Sequence, residues 1–237
     1  MHWRFSDGGK FQLQPQGATV YPDFCEQHVE DDLIEQYDPL RTLWRGWDLG
    51  FTRPACVAFQ IDKNGNKNVL YCKMGKNIQL TDFIDEVNAY QNEVMPEVQS
   101  TMDLLPHDAN RKYDVSPNTS AMIFKRKRLQ IDVVYVKRDT SVELANEELK
   151  EFSAGTPKIK LDSKHCTTLI QALSSYTRDE QTGQPRRDKY FEHVSDAFKL
   201  GLYYISKKLM QGEDTFTPNE PKYYDMDFEV NKERLLN

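Results

Sequence analysis

Trp44-Arg-Gly-Trp-Asp-Leu-Gly-Phe51 is followed closely by the apolar run Ala55-Cys-Val-Ala-Phe-Gln-Ile61. The first stretch reads as a short hydrophobic strand that delivers one carboxylate, Asp48, to a glycine turn. The second reads as the strand that leaves this turn. An Asp-x-Gly alone is weak evidence, because most such acids cap turns. Two later acids give it weight. Asp108 ends the apolar segment Met102-Asp-Leu-Leu-Pro-His-Asp108, and Asp196 lies in His193-Val-Ser-Asp-Ala-Phe198, early in the last strong helical pattern.

Outward from this core, the spacing predicts strands over residues 43–48, 55–61 and 69–74. The last two form a hairpin around Asp62-Lys-Asn-Gly-Asn-Lys67, whose Asn-Gly is a strong turn signal. Thr81 is the expected cap of a helix to about Met95, stopped by Pro96. A strand to Asp108, a basic helix over 119–129, a strand over 131–136 and a helix over 142–152 follow. Residues 157–161 read as a short edge strand, and helices are expected over 165–176 and 191–208. Three tightly connected strands followed by alternating helices and strands imply a mixed five-stranded sheet flanked by helices. In such a sheet the first and fourth strands can lie side by side, bringing Asp48 and Asp108 to one edge. Residues 1–40 read as a lead-in or linker, 41–210 as the folded domain and 211–237 as an acidic tail.

Acids on a first strand, a later strand and a final helix are the layout of a two-metal phosphodiesterase centre of ribonuclease H type. Such chemistry needs carboxylates converging on two cations about 3.5–4 Å apart. Hard oxygen ligands select Mg²⁺ or Mn²⁺. Asp48 is the expected shared ligand, with Asp108 and Asp196 each completing one ion. Asp103, near the start of its strand and on the opposite face from Asp108, reads as structural. His193 precedes Asp196 by three residues, so both project from one helical face; it is either a metal ligand or water-orienting group, or a surface histidine at a helix start. His107 reads as a packing residue and His165 as an exposed or capping one. The polar stretch 177–189 is either a plain loop or a small hairpin overhanging the acids, with Arg186 and Arg187 facing phosphates.

The chain has 237 residues and a net charge of −6, from 31 Lys and Arg against 37 Asp and Glu. That excess argues mildly against a nucleic-acid binder, but part of it lies between Glu213 and Glu229, and the basic residues are grouped. The groups are Lys125-Arg-Lys-Arg128, Lys137-Arg138, Arg186-Arg187 with Lys189, and Lys207-Lys208. Local patches bind phosphates whatever the net charge. Of these, Lys125, Arg126, Arg128, Arg186, Arg187 and Lys189 are the candidate DNA contacts. No apolar run approaches the roughly 20 residues of a membrane span, so no membrane partner is expected. The four scattered cysteines read as thiols of a reducing compartment. There is no G-x-x-x-x-G-K-[ST], no G-x-S-x-G and no H-E-x-x-H.

Gly17-Ala-Thr-Val-Tyr-Pro-Asp-Phe24, Trp47-Asp-Leu-Gly50 with Pro54, His107-Asp-Ala109 and His193-Val-Ser-Asp-Ala-Phe198 together resemble the nuclease domain of tailed-bacteriophage terminase large subunits. The similarity covers about residues 17–208. It implies a ribonuclease H-like fold and divalent-metal cleavage of concatemeric double-stranded viral DNA in the host cytoplasm. It also implies a terminase small subunit, a portal protein and the ATPase domain of a full-length protein as partners. The family's catalytic acids map to Asp48, Asp108 and Asp196. Many members carry a second acid beside the last one; here that position is Ser195, which makes His193 the substitute. A His-x-x-Asp pair on the last helix is also similar to RuvC-type junction resolvases, and a non-catalytic DNA-binding module of the same fold is a further alternative.

Overall fold

The computed structural model describes residues 4–5, 11–12, 18–50, 52–111, 118–186 and 190–211. Its centre is β1 (Leu43–Asp48), paired antiparallel with β2 (Ala55–Ile61), which pairs antiparallel with β3 (Lys67–Met74). The β2–β3 turn forms as its Asn-Gly predicts. Gly65 takes a φ of 81°, and the Asp62 carboxylate accepts from the amides of Asn64 and Asn66. On the other side of β1, β4 (Thr101–Pro106) runs parallel to it, and β5 (Ile131–Val134) runs parallel to β4. The order 3-2-1-4-5 places the first and fourth strands side by side, as expected from the sequence.

The sheet is larger than the expected five strands. β6 (Ile159–Asp162) adds parallel to β3, and the two-residue strand Val29–Glu30 adds parallel to β6, giving seven strands. β6 is therefore an interior strand, not the edge expected from its length. The Val29–Glu30 strand covers it, and it comes from the stretch read as a lead-in. That stretch also inserts Val20, Tyr21, His28, Leu33 and Ile34 into the core. The sequence signal failed here because two-residue strands and 3-10 turns carry no periodicity.

α1 (Leu80–Val94) and α2 (Ser120–Arg126) cover one face; α3 (Arg138–Lys150), α4 (Thr167–Ser175) and α5 (Phe191–Met210) cover the other. Several ends differ from expectation for local reasons. α1 starts at Leu80, with Gln79 and not Thr81 at its cap. Thr119 does cap α2, accepting from Met122 N at 3.2 Å, but the helix stops at Arg126, ahead of the left-handed Arg128. α4 begins two residues late, because the Asp162 carboxylate takes the amides of Lys164 and His165 into a turn.

Alternation along β1 sends Leu43, Arg45 and Trp47 to the α1 side and Trp44, Gly46 and Asp48 to the α5 side. On the α1 side, Arg45 donates to both oxygens of Asp103 on β4 at 2.7 and 2.8 Å. Trp47 Nε1 donates to Asp103 as well, at 2.6 Å, and Arg45 also reaches Asn88 and Gln91 of α1. Arg45, Trp47, Gln91 and Asp103 are all buried, which makes Asp103 a structural residue. On the α5 side Gly46 touches the helix backbone: an added Cβ would stand 2.3 Å from the Ala197 carbonyl oxygen. Gly201 of α5 makes equal room for the Phe59 ring.

Two stability outcomes follow from this packing. Asp103→Asn leaves the buried Arg45 charge without its carboxylate and is expected to cost about 3–5 kcal/mol. Gly46→Ala forces α5 off the sheet and is expected to cost about 1–3 kcal/mol or more. Equilibrium urea unfolding checks both, and a midpoint equal to that of the parent in either variant contradicts the packing described.

Candidate active site

Asp48 is the last residue of β1, and the turn behind it curls back on the carboxylate. Gly50 N donates to Asp48 Oδ1 at 3.2 Å. The other oxygen, Oδ2, lies 2.7 Å from Nδ1 of His193, in the first turn of α5. Gly50 is packed against that imidazole so closely that a Cβ there would lie 3.1 Å from it. Burial, joined by the charge of nearby Asp196, holds the Asp48 carboxyl above the ordinary carboxylate value. The hydrogen bond and charge of His193 and the Gly50 amide pull it back without cancelling the rise. His193 is held above the usual histidine value, mainly by its hydrogen bond to Asp48, against the effect of partial burial. His193 thus faces the first-strand acid from the first turn of α5.

Asp196 lies one helical turn after His193. Its carboxylate accepts from Lys199 Nζ at 2.7 Å, and Lys199 is only 3% exposed. Sequence reasoning missed this lysine. A signal existed: a cation three residues after an acid, in an otherwise apolar helix, has to find an anion, because lysines are almost never fully buried unpaired. Ser195, where related sequences are expected to carry a second acid, is turned inward and shares a hydrogen bond with the Tyr21 hydroxyl. It takes no part in the site.

Asp108 is not at a strand end. β4 stops at Pro106, and His107–Asn110 form a 3-10 turn on which both His107 and Asp108 are exposed. His107 packs edge-on against the Tyr135 ring at the surface, not in the core. Even so, Asp48, Asp108, Asp196 and Lys199 all line one cavity of about 820 Å³, between the end of β1, the 107–110 turn, α2 and α5. Asp48 and Asp196 are electrostatically coupled there; Asp108 lines the same cavity from the 107–110 turn. Among the described residues no three His, Cys, Asp or Glu side chains close into a ready metal site. The donor chemistry is nonetheless that of a hard cation: the Asp48, Asp108, Glu192 and Asp196 carboxylates and the His107 imidazole line the cavity, His193 stands against Asp48, and Asp48 and Asp196 repel each other without a cation between them.

The remaining candidates lie apart from this cavity. Residues 177–186 do form a tight hairpin, with Arg178 bridged to Pro185 and Gly183 at a φ of 67°. Its base is bridged to Thr19, and none of its described residues lines the acid cavity. Arg186 is exposed on it; Arg187 and Lys189 lie outside the described residues. α2 puts Ser120 and Ile123 on the cavity wall, while Lys125, Arg126 and Arg128 are exposed at its far end. The acidic tail from 212 on also lies outside the described residues. No described helix is long and apolar enough to cross a membrane. Cys56, Cys72 and Cys166 are buried thiols, and Cys25 is an exposed one.

No protein-family model and no curated protein matches the chain. Among solved structures it is similar to the HK97 bacteriophage large terminase, at 11% identity and a TM-score of 0.44, over 68% of this chain and 39% of that one. It is also similar to the Mn-soaked human cytomegalovirus terminase nuclease domain, at 12% identity and 0.40, over 76% and 94%. The fowlpox virus resolvase bound to Holliday junction DNA aligns at 12% identity and 0.39, over 70% and 99%. At such identities, with every TM-score below one half, none of the three assigns an activity to this chain.

The Asp48–His193 contact has a measurable signature. In metal-free protein, NMR titration of the His193 imidazole is expected to give a pKa above the usual histidine value. Asp48→Asn removes the largest cause of that rise and should move it down. An unchanged titration in the variant means that the two side chains do not meet in solution.

Proposed function

We propose that the chain is a divalent-metal-dependent endonuclease domain acting on double-stranded DNA, and that it serves as the nuclease of a viral DNA-packaging terminase large subunit. One observation carries the reading. Asp48 and the His193/Asp196 pair sit at the junction of β1 with α5, and Asp108, just beyond β4, the strand parallel to β1, lines the same cavity as Asp48 and Asp196. Acids on a first strand, beyond a fourth strand and on the last helix of a 3-2-1-4-5 sheet are the arrangement that two-metal phosphodiester hydrolysis uses.

Asp48, Asp196 and Asp108, with His193, would hold the Mg²⁺ or Mn²⁺ ions. When bound, such ions activate water and stabilise the leaving oxygen. The chain's own residues prepare the site for them. The Gly50 amide and the His193 imidazole orient the Asp48 carboxylate. Lys199 holds Asp196 and offsets part of its repulsion with Asp48. The apolar wall of Leu49, Pro54, Ile78 and Leu80 narrows the space open to water. Lys125, Arg126, Arg128 and Arg186, with Arg187 and Lys189, are proposed contacts for the DNA backbone. The same reading assigns residues 41–210 to the nuclease domain, with residues 18–40 built onto its edge and 211–237 as a tail. It gives the chain a packaging ATPase domain, a terminase small subunit and a portal protein as partners, in the cytoplasm of an infected host.

A second reading, a junction resolvase of the same fold, is favoured by the His193-x-x-Asp196 spacing, with His193 bonded to Asp48. Preference for a four-way junction over linear duplex in cleavage would select it over the terminase reading.

Purified protein is expected to cut plasmid DNA with Mn²⁺ and not with EDTA. Asp48→Asn and Asp196→Asn should each lower cleavage by several orders of magnitude at wild-type secondary structure. Mn²⁺ should raise the melting temperature of the parent, and raise it less in Asp48→Asn. Parent-level cutting by a folded Asp48→Asn protein removes the assignment; equal melting shifts mean that the metal binds elsewhere.

A further inference from the structure

Across the 49–54 turn from the acids lies a second cavity, of about 410 Å³. Its basic residues come from three distant chain segments: Arg53 of that turn, Lys73 and Lys76 at the end of β3, and Lys164 with His165 just before α4. Four permanent cations face it, and no carboxylate is among the residues that line it. Nor does any of the four make an ion pair with a carboxylate among the described residues. Some lysines elsewhere on this net-acidic chain do, although exposed ones such as Lys125 and Lys137 do not. Lys67, Lys127, Lys158, Lys160 and Lys199 all lie within 2.7 Å of a carboxylate oxygen.

Aromatic faces hold two of these cations in place of acids. Lys73 Nζ stands 4.1 Å from the centre of the Tyr90 ring, and the Arg53 guanidinium 5.1 Å from that of Tyr190. Tyr90 is itself fixed by a 2.6 Å hydrogen bond between its hydroxyl and His165 Nδ1. A ring face positions a cation without consuming its N–H donors or neutralising its charge. The N-terminal end of α4, through Thr167 and Thr168, adds hydroxyl donors and the positive end of a helix dipole. Clustering like charges in a concave site is unfavourable unless an anion completes it.

The place of the cavity names that anion. Leu49, Gly50 and Pro54 of the turn line the acid cavity, while Arg53 lines this one. Tyr190, on its rim, lies three residues ahead of His193. We propose that this pocket binds a backbone phosphate of the DNA strand being cut, beside the phosphate presented to Asp48 and Asp196. The substrate is taken from the nuclease reading above. Arg53, Lys73, Lys76 and Lys164 are the phosphate ligands, and the pocket fixes which phosphodiester along the strand reaches the acids.

The test compares the parent with the triple variant Lys73→Gln/Lys76→Gln/Lys164→Gln. Both are titrated by fluorescence anisotropy with a labelled duplex, Ca²⁺ replacing Mn²⁺, over a range of KCl. The variant is expected to bind roughly tenfold more weakly at low salt, with a slope of log K against log salt flatter by about 2. Its Mn²⁺-induced melting shift should stay at the parent value, because the acids are untouched. Unchanged affinity and slope overturn the proposal, as does a parent that binds no duplex. If tripolyphosphate raises the melting temperature of the parent and not of the variant, while both bind duplex alike, the pocket serves a free phosphoryl ligand and the DNA assignment falls. A parent that binds duplex through these lysines but never cuts plasmid with Mn²⁺ keeps the pocket and removes the nuclease reading.

Discussion

One buried ion pair ties the sheet together where the site is built. Arg45 on β1 and Asp103 on β4 meet through two N–H···O bonds, the remaining guanidinium donors reach Asn88 and Gln91, and Trp47 donates to the same carboxylate. Two charges removed from water are tolerable only when their hydrogen bonds are largely met, and here four guanidinium N–H groups and both carboxylate oxygens have partners. Such a pair adds little stability over an apolar replacement, but it resists slippage. A one-residue shift of β1 along β4 would bury both charges apart and turn Asp48 to the wrong face. The register Arg45 opposite Asp103 is therefore also what places Asp48 near the 107–110 turn that carries Asp108.

The opposite face of β1 answers a different constraint, close approach. Gly46 lets the backbone of α5 rest on the strand, and Gly201 lets it rest on Phe59. With larger residues at these places the helix would stand away from the sheet, and His193 would lose Asp48. The site thus depends on two unlike devices on the two sides of one strand: a charged lock beneath and missing side chains above.

Charge is arranged with the same economy. Asp48 and Asp196 each meet a basic side chain of the chain itself, the His193 imidazole and the Lys199 ammonium. These partners hold the two carboxylates side by side, at the expense of competing with any metal for the same oxygens. On the far side of the turn the balance is reversed. There four cations collect with no acid, and tyrosine rings take the place of counter-ions. An acidic chain can thus present a local positive field next to a negative one, and net charge alone describes neither.

The sequence by itself determined the strand order's core, the Asp62–Lys67 turn, the place of Asp48 at the end of its strand, the shared helical face of His193 and Asp196, and the structural part of Asp103. Each of these follows from local chemistry: an alternating or apolar run, an Asn-Gly turn, a three-residue helical offset, or an acid at the wrong end of a strand. Tertiary structure alone decided the rest. The Val29–Glu30 strand is too short to carry a period and exists only because β6 leaves an edge open to it. Asp108 moved off the strand because β4 ends at Pro106, which sets aside strand geometry for its side chain. Ser195 turned inward because Tyr21, 174 residues away, needed a partner. The basic pocket could not be read at all, since Arg53, Lys73 and Lys164 form no run in the chain; what joins them is the fold, which brings the β1 turn, the end of β3 and the start of α4 to one place.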